Sequence, residues 1–209
     1  MKVDIGCGCN KQPGYFGIDC REIPEADLVW DINKPIPLPD NSIEFVMASR
    51  SLSYVDNLFS VLGDLYRLCA HKAVMCILAP YAHSFVHLTN PNVKQRFDES
   101  SPRYWTSHFH EPSHGTSCPP PSPYEGEEPP FDFRLLRMEF RYAPEFSPPD
   151  YELEELEMLQ RVQSNVVDEI LYYVVAVKAP ISQEELERLE GQIYPLPIVL
   201  EKRGHEGSK

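Results

Sequence analysis

The sequence predicts an α/β fold, an open and mostly parallel sheet that takes its ligand at the carboxyl ends of the strands, and three observations lead there. Lys2 to Ile5 is a short apolar strand that runs into Gly6-Cys7-Gly8, where missing side chains let the backbone turn sharply and approach a ligand. Tyr15 to Asp19 is a second strand ending on a carboxylate, and a third apolar run, Ala26 to Ile32, carries Asp31 near its end. Ala73 to Leu78 is apolar throughout, the pattern of a strand buried on both faces. In such a sheet the glycine turn and Asp19 lie side by side at one pocket edge, where the carboxylate can accept both hydroxyls of a ribose.

Taken in order, the elements begin with an unusually short connection. Only nine residues, Gly6 to Gly14, separate the first two strands, whereas a parallel crossover takes about a dozen and usually a helix. The first crossover is therefore shortened to a turn or two, and one sheet face is thinly covered, to be filled either by a second subunit of a homodimer or by a returning C-terminal segment. Lys11 in this loop reads either as a partner for a ligand carboxylate or, more simply, as a solvated surface lysine. Pro35 to Leu52 gives a proline-bounded turn and a fourth strand ending near Ser49. Asp56 to His71 follows as a helix, with Leu58, Val61, Leu62, Leu65, Tyr66 and Cys69 on one stripe and Asp56 at its start as the cap.

Residues 81–130 are of a different kind. They hold five of the seven histidines, many aromatics and a proline-rich stretch, Pro112 to Pro130, through which no helix persists. An insertion here follows the fifth strand on the pocket's edge, the place of a lid; its aromatics Tyr81, Phe85, Phe97, Tyr104, Trp105 and Phe109 suit an apolar or aromatic acceptor. A plain surface loop is the alternative, best suited to Thr116 to Glu128. Tyr81, His83, His87, Tyr104 and His110 are the candidates for orienting or deprotonating an acceptor, with Tyr81 and His83 placed first as catalytic residues. Asp132 to Tyr142 then alternates as a half-buried strand with one slip that marks a bulge. Ser147-Pro148-Pro149-Asp150 resembles a capping box before a helix near Tyr151 to Gln160, with Leu153, Leu156 and Leu159 inside, and Ile170 to Lys178 is a strongly apolar strand. Residues 1–180 thus form one domain with the insertion 81–130. The tail 181–209 adds a short helix, Gln183 to Glu190, and an apolar segment, Ile193 to Leu200, that either covers core or reaches a second subunit.

Composition narrows the function. A net charge of -13 disfavours a phosphate backbone as the main partner, so no nucleic acid is expected. No apolar run approaches a membrane span and strand residues begin at position 2, so the expectation is a cytoplasmic protein without a leader or a membrane. The six cysteines are unlike a secreted disulfide framework and are expected to be reduced. The run His108, His110, His114, Cys118 invites a metal reading, but Pro112 and Gly115 break the helix that would align it, and no metal is expected.

The glycine motif passing almost directly into Pro13-Gly14-Tyr15-Phe16-Gly17-Ile18-Asp19, and later into Pro37-Leu38-Pro39-Asp40-Asn41-Ser42-Ile43-Glu44-Phe45-Val46-Met47-Ala48-Ser49, resembles the class I S-adenosylmethionine-dependent methyltransferases, well over residues 2–80 and loosely over 131–180. The resemblance implies a Rossmann-like seven-stranded sheet of order 3-2-1-4-5-7-6 with the last strand antiparallel. It implies S-adenosyl-L-methionine as cofactor, methyl transfer to a small-molecule substrate, neutral or apolar, and cofactor contacts from Asp4, Gly6, Cys7 and Gly8 to the methionine moiety, Asp19 to the ribose, Cys20, Asp31 and Ile32 to the adenine, and Ser49 to the methionine end. The chain departs from its relatives after strand four, where Arg50-Ser51-Leu52-Ser53-Tyr54 stands in place of His-x-Leu-Glu-His. That departure keeps open a non-catalytic binding or scaffold protein on the same fold. A nicotinamide-dependent oxidoreductase fits less well, because position 11 is lysine where G-x-G-x-x-G needs glycine and the shortened crossover leaves no helix to hold a pyrophosphate.

Overall fold

The short N-terminal strands pair in parallel and set the frame for the rest of the chain. In the computed structural model, which describes residues 1–113, 115–120, 128–146 and 150–201, the strands are β1 (Lys2–Ile5), β2 (Phe16–Asp19), β3 (Leu28–Val29), β4 (Ile43–Ser49), β5 (Cys69–Pro80), β6 (Phe133–Tyr142) and β7 (Val167–Ala176). They form one seven-stranded sheet of order β3-β2-β1-β4-β5-β7-β6. β1 to β5 pair in parallel, and β7 runs antiparallel to both β5 and β6, as expected. β3 keeps only two residues of the longer third strand that the sequence suggests. The first crossover holds one tight turn, Gly8–Asn10, in place of a helix.

Helix α1 (Leu58–Leu68) buries Val61, Leu62, Leu65 and Leu68. Its cap is Asn57 rather than Asp56: the Asn57 Oδ1 accepts from the Ser60 amide at 3.0 Å, because the helix starts two residues later than the sequence suggests. α1 and β1, β4, β5, β6 and β7 enclose the larger core, which includes Ile5, Val46, Leu62, Met75 and Tyr172. The slip expected in β6 is present as a register shift between Leu135 and Arg137; it leaves Leu135 in this core and turns Leu136 to the opposite face.

That opposite face receives the C-terminal segment. Helix α4 (Gln183–Glu190), capped by Ser182, buries Leu186 and Leu189 against Phe45, Met47, Val74 and Leu171. Beyond it Tyr194 stacks on Tyr173 with ring centroids 5.4 Å apart. Gln12 then ties the tail to the shortened first crossover, donating to the Leu196 carbonyl at 3.1 Å and accepting from the Ile198 amide at 2.9 Å. The chain's own tail thus covers the face left bare by the missing crossover helix.

The insertion after β5 packs differently from the expectation. Its described residues hold a short helical turn, α2 (Phe85–Leu88), and a tight turn at Ser101–Trp105. Phe97 and Trp105, expected to line an acceptor site, are 0% and 2% exposed and lie in the larger core with Cys118 and Phe131. The reason is coverage: α1 reaches this side of the face through Tyr66 on Phe133, and beyond it these aromatics seal the sheet against Tyr172. Tyr104 stays 38% exposed. Helix α3 (Leu153–Val162) is capped by Glu152, whose carboxylate and that of Glu155 form a capping box. Of the expected box, Ser147 to Asp150, the residues 147–149 lie outside the described residues. Leu156 is buried as expected and Leu159 is half-buried, whereas Leu153 is 64% exposed, so α3 presents a shorter apolar stripe than the sequence suggests.

Candidate functional site

A cavity of about 360 Å³ opens at the carboxyl ends of β3, β2, β1 and β4. Its walls follow the strand order: Trp30, Asp31, Ile32 and Asn33 after β3, Asp19, Cys20 and Arg21 at β2, Gly6 after β1, and Arg50, Ser51, Tyr54 and Val55 after β4. Gly6, Asp19, Cys20, Asp31 and Ile32 were expected here from the sequence. Each strand ends where its side chains stop alternating into core, so the pocket gathers residues that are far apart in the chain.

The turn after β1 is tightly specified. Gly6 has φ +64, and a Cβ built on it would stand 2.4 Å from the Ser51 Cβ, so β1 and the β4 exit touch here with no room for a side chain. The Ser51 Oγ and Ser49 Oγ are both buried without a hydrogen-bond partner among the described residues. Asp19 is 5% exposed; its Oδ2 accepts from the Gly8 amide at 2.9 Å, and its Oδ1 from the Arg21 amide at 2.9 Å and Nε at 3.3 Å. Burial pushes its pKa up, but these donors outweigh it and hold the carboxyl below its ordinary range. Three of its roughly four acceptor positions are thereby used, so accepting both ribose hydroxyls needs the exposed Arg21 guanidinium to swing aside. Asp31 is held in its ionised form by the Asn33 amide and side chain.

Other expected residues sit around the cavity rather than in its wall. Cys7 is buried, with its Sγ 3.9 Å from the Glu25 carbonyl, and burial raises its thiol to about 11. Gly8 contributes its amide to Asp19. Lys11 is committed to Asp27 at 2.9 Å. Asp4 lies beneath the turn, accepting from the Gln12 amide at 2.7 Å while its Oδ1 has no partner among the described residues. Burial, only partly offset by the Gln12 amide and Lys11, raises its pKa to about 6. The folded protein therefore holds a proton on Asp4 that the unfolded chain loses near 3.8, and stability falls as pH rises between those values, by about 2–3 kcal/mol in all. Asp4→Asn is expected to raise unfolding stability at pH 7 by about 1–2 kcal/mol, with the gain gone below about pH 4; urea unfolding at both pH values checks it.

Tyr81 and His83 are not part of the cavity wall. Tyr81 is 2% exposed and donates from its hydroxyl to Glu99 at 2.7 Å; burial and that carboxylate raise its pKa far above the ordinary value. His83 is exposed, its ring 5.2 Å from that of Tyr81. His110, another candidate, pairs with the buried Glu190 at the end of α4. His87 pairs with Asp168 at 3.2 Å. His114 lies outside the described residues, and among those described no three His, Cys, Asp or Glu side chains gather as metal ligands. All six cysteines are free.

Sequence reasoning missed Arg21, Trp30, Asn33, Arg50, Ser51, Tyr54 and Val55 as cavity residues. Arg50 and Ser51 carried a usable signal, their position directly after a strand whose carboxyl end faces the ligand edge. Arg50 is the least expected: it takes φ +57, and its guanidinium forms a two-pronged pair with Glu169 of β7, from Nε to Oε1 and from Nη2 to Oε2, the latter at 2.7 Å. Glu169 is 1% exposed.

No family model matches the chain, and no curated protein matches its sequence. Solved structures match its fold. A methyltransferase from Archaeoglobus fulgidus, described as S-adenosylmethionine-dependent, superposes with TM-score 0.54 at 17% identity, over 83% of this chain and 85% of that one. The YcgJ protein from Bacillus subtilis gives 0.51 at 10% identity, over 86% and 92%. A protein from Thermotoga maritima, described as an S-adenosylmethionine-dependent methyltransferase and possible histamine N-methyltransferase, gives 0.50 at 14%, over 85% and 81%. The chain has the class I methyltransferase fold, with its strand order and antiparallel β7.

Proposed function

We propose that this protein binds S-adenosyl-L-methionine in the 360 Å³ cavity and transfers its methyl group to a small, neutral or apolar acceptor. The observation that carries the reading is the close contact of Gly6 with Ser51, which leaves bare backbone and the Ser51 hydroxyl, without a partner among the described residues, in the wall of a cavity that also holds Asp19 and the apolar surfaces of Trp30 and Ile32. The residues fit the cofactor: Asp19 for ribose hydroxyls, Trp30 and Ile32 for the flat base with Cys20 and Asp31 at its edge, and the Gly6 turn for the thioether-bearing chain, with Asp4, Cys7 and Gly8 shaping that turn from beneath. When bound, the cofactor supplies a methyl group on a positively charged sulfur. The protein's part is alignment and water exclusion, for which Tyr54 and Val55 form the wall nearest the insertion. Gln95 ties that wall to the insertion by donating to the Val55 carbonyl at 2.9 Å, and the Lys94 and Gln95 amides both reach the Ser53 carbonyl. Tyr81 enters this reading as a hydrogen-bond donor that fixes the insertion through Glu99, with His83 beside it.

Titration calorimetry with S-adenosylmethionine, its demethylated product and NAD tests the reading. Binding of the first two and not the third supports it; binding of NAD alone, or of none, sinks it. A second reading, a binding protein without turnover, draws on Arg50, Ser53 and Tyr54 standing where the family that the sequence resembles often carries two histidines and a glutamate. It predicts cofactor binding with no methyl transfer to any acceptor in a small-molecule panel. Asp19→Ala is expected to weaken cofactor binding by about 1.5–3 kcal/mol. Because Asp19 also holds the Gly8 and Arg21 amides, the variant should lose about 1–2 kcal/mol of stability as well. Unchanged affinity in a folded Asp19→Ala protein would remove the ribose assignment.

A further inference from the structure

The cavity has two unlike ends. Across the sheet edge from β3 to β4 it spans three strand spacings, about 14 Å, long enough for a nucleoside with an extended tail. At the β3 end stand Trp30 and Ile32; at the β4 end stands Arg50. Among the basic side chains around the site, Lys11 is spent on Asp27 and Lys94 on Asp56, Lys34 is exposed, and Arg21 is held by Asp19 with its side chain 62% exposed. Arg50 alone is built in: its backbone adopts a left-handed conformation, uncommon for a residue with a side chain, and its Nε and Nη2 are locked by a carboxylate on a different strand. Two of the five guanidinium N–H groups are used by Glu169, and the remaining three belong to a side chain in the cavity wall beside the unpartnered Ser51 Oγ.

We propose that Arg50, held in place by Glu169, recognises a carboxylate at the tail end of the cofactor, and so makes the cavity select nucleosides that carry an amino-acid tail over nucleosides that lack one. This rests on the cofactor reading above and goes beyond it, since Arg50 stands where the family that the sequence resembles often has histidine, and its role is not carried over from that family. Glu169 is a positioning residue with a second effect. Its charge cancels that of Arg50, so a positively charged sulfur nearby meets a neutral pair rather than a bare cation, while the guanidinium still offers its donors to the tail. The simpler account is that Arg50 only neutralises a buried glutamate; that account gives the tail no effect on affinity.

The experiment is a calorimetric comparison of S-adenosylhomocysteine with methylthioadenosine, which shares the nucleoside but lacks the amino-acid tail. Wild-type protein should bind the tailed nucleoside roughly tenfold to a hundredfold more tightly. Arg50→Gln removes the cation that balances the buried Glu169 charge and is a poor folder by expectation, so the double variant Arg50→Gln/Glu169→Gln, which removes both charges, is the main test. In it the affinity for S-adenosylhomocysteine should drop to near that for methylthioadenosine, whose own affinity stays within about twofold of wild type. Arg50→Lys, which keeps the charge without the fork, should lose part of the preference and serves if the double variant does not fold. A folded variant that keeps the wild-type ratio overturns the proposal, as does a wild-type protein that binds both nucleosides equally. If wild type binds neither, the cofactor reading itself has failed, an outcome distinct from an unchanged ratio.

Discussion

Trp105→Ala is expected to lower the unfolding free energy by about 3–5 kcal/mol, the range for removing a buried large aromatic. Trp105 is 2% exposed, with its ring centroid 5.2 Å from that of Tyr172 and 6.2 Å from that of Phe97, both in near-perpendicular contact. Phe97 in turn bridges to Tyr81 at the end of β5, and the Tyr172 hydroxyl donates to the Asp98 carbonyl at 2.6 Å. Removing the indole therefore opens a cavity between the insertion and the centre of β7, which neighbouring strands cannot collapse to fill. Equilibrium urea unfolding measures the loss. A change below about 1 kcal/mol with impaired turnover would instead restore Trp105 to the acceptor-lining role that the sequence suggests. The neighbouring Tyr104, which is 38% exposed, should cost little stability when replaced, so the two residues separate packing from access.

Gly6→Ala should abolish cofactor binding and cost about 2–4 kcal/mol of stability. Two effects add. The backbone sits at φ +64, and the new methyl would lie 2.4 Å from the Ser51 Cβ and 3.6 Å from its Cα, so β1 and the β4 exit must separate. That separation moves Ser51 and Arg50 together, two of the residues that form one end of the cavity. Gly14→Ala is the control: it has φ +78 but nothing within 4 Å of the added Cβ, so it should cost only about 1 kcal/mol and leave binding intact. Gly8 falls between them, since its Cβ would meet only the flexible Arg21 side chain at 3.5 Å. Calorimetry and thermal melts on the three variants check the ranking. Normal binding by a folded Gly6→Ala protein would mean that this turn does not line the site.

The parallel half of the sheet was legible because its signals are local. Val3 to Gly8, Phe16 to Asp19 and Ile43 to Ser49 each carry their strand character and their end in consecutive residues, and strand ends in a parallel sheet locate the ligand edge. Gly6, Asp19, Cys20, Asp31 and Ile32 reached the cavity for that reason. The slip in Asp132 to Tyr142 announced a bulge by the same kind of local evidence, a broken alternation.

What tertiary structure decided was every feature set by which surfaces compete for cover. Whether Ile193 to Leu200 faces a second subunit or its own sheet depends on the shape left by a missing helix, and the pairing of Gln12 with Leu196 and Ile198 crosses more than 180 residues of chain. Whether Phe97 and Trp105 open toward a ligand or seal a core depends on their packing against Tyr172 of β7, which no window of sequence around them contains. Arg50 and Glu169, 119 residues apart, form a pair only because β4, β5 and β7 stand side by side; read singly, one is a surface arginine and the other an acid on an apolar strand. Periodicity and turn chemistry act over a few residues and can be read along the chain. Burial and charge pairing act across strands, and only the folded sheet brings those partners within reach.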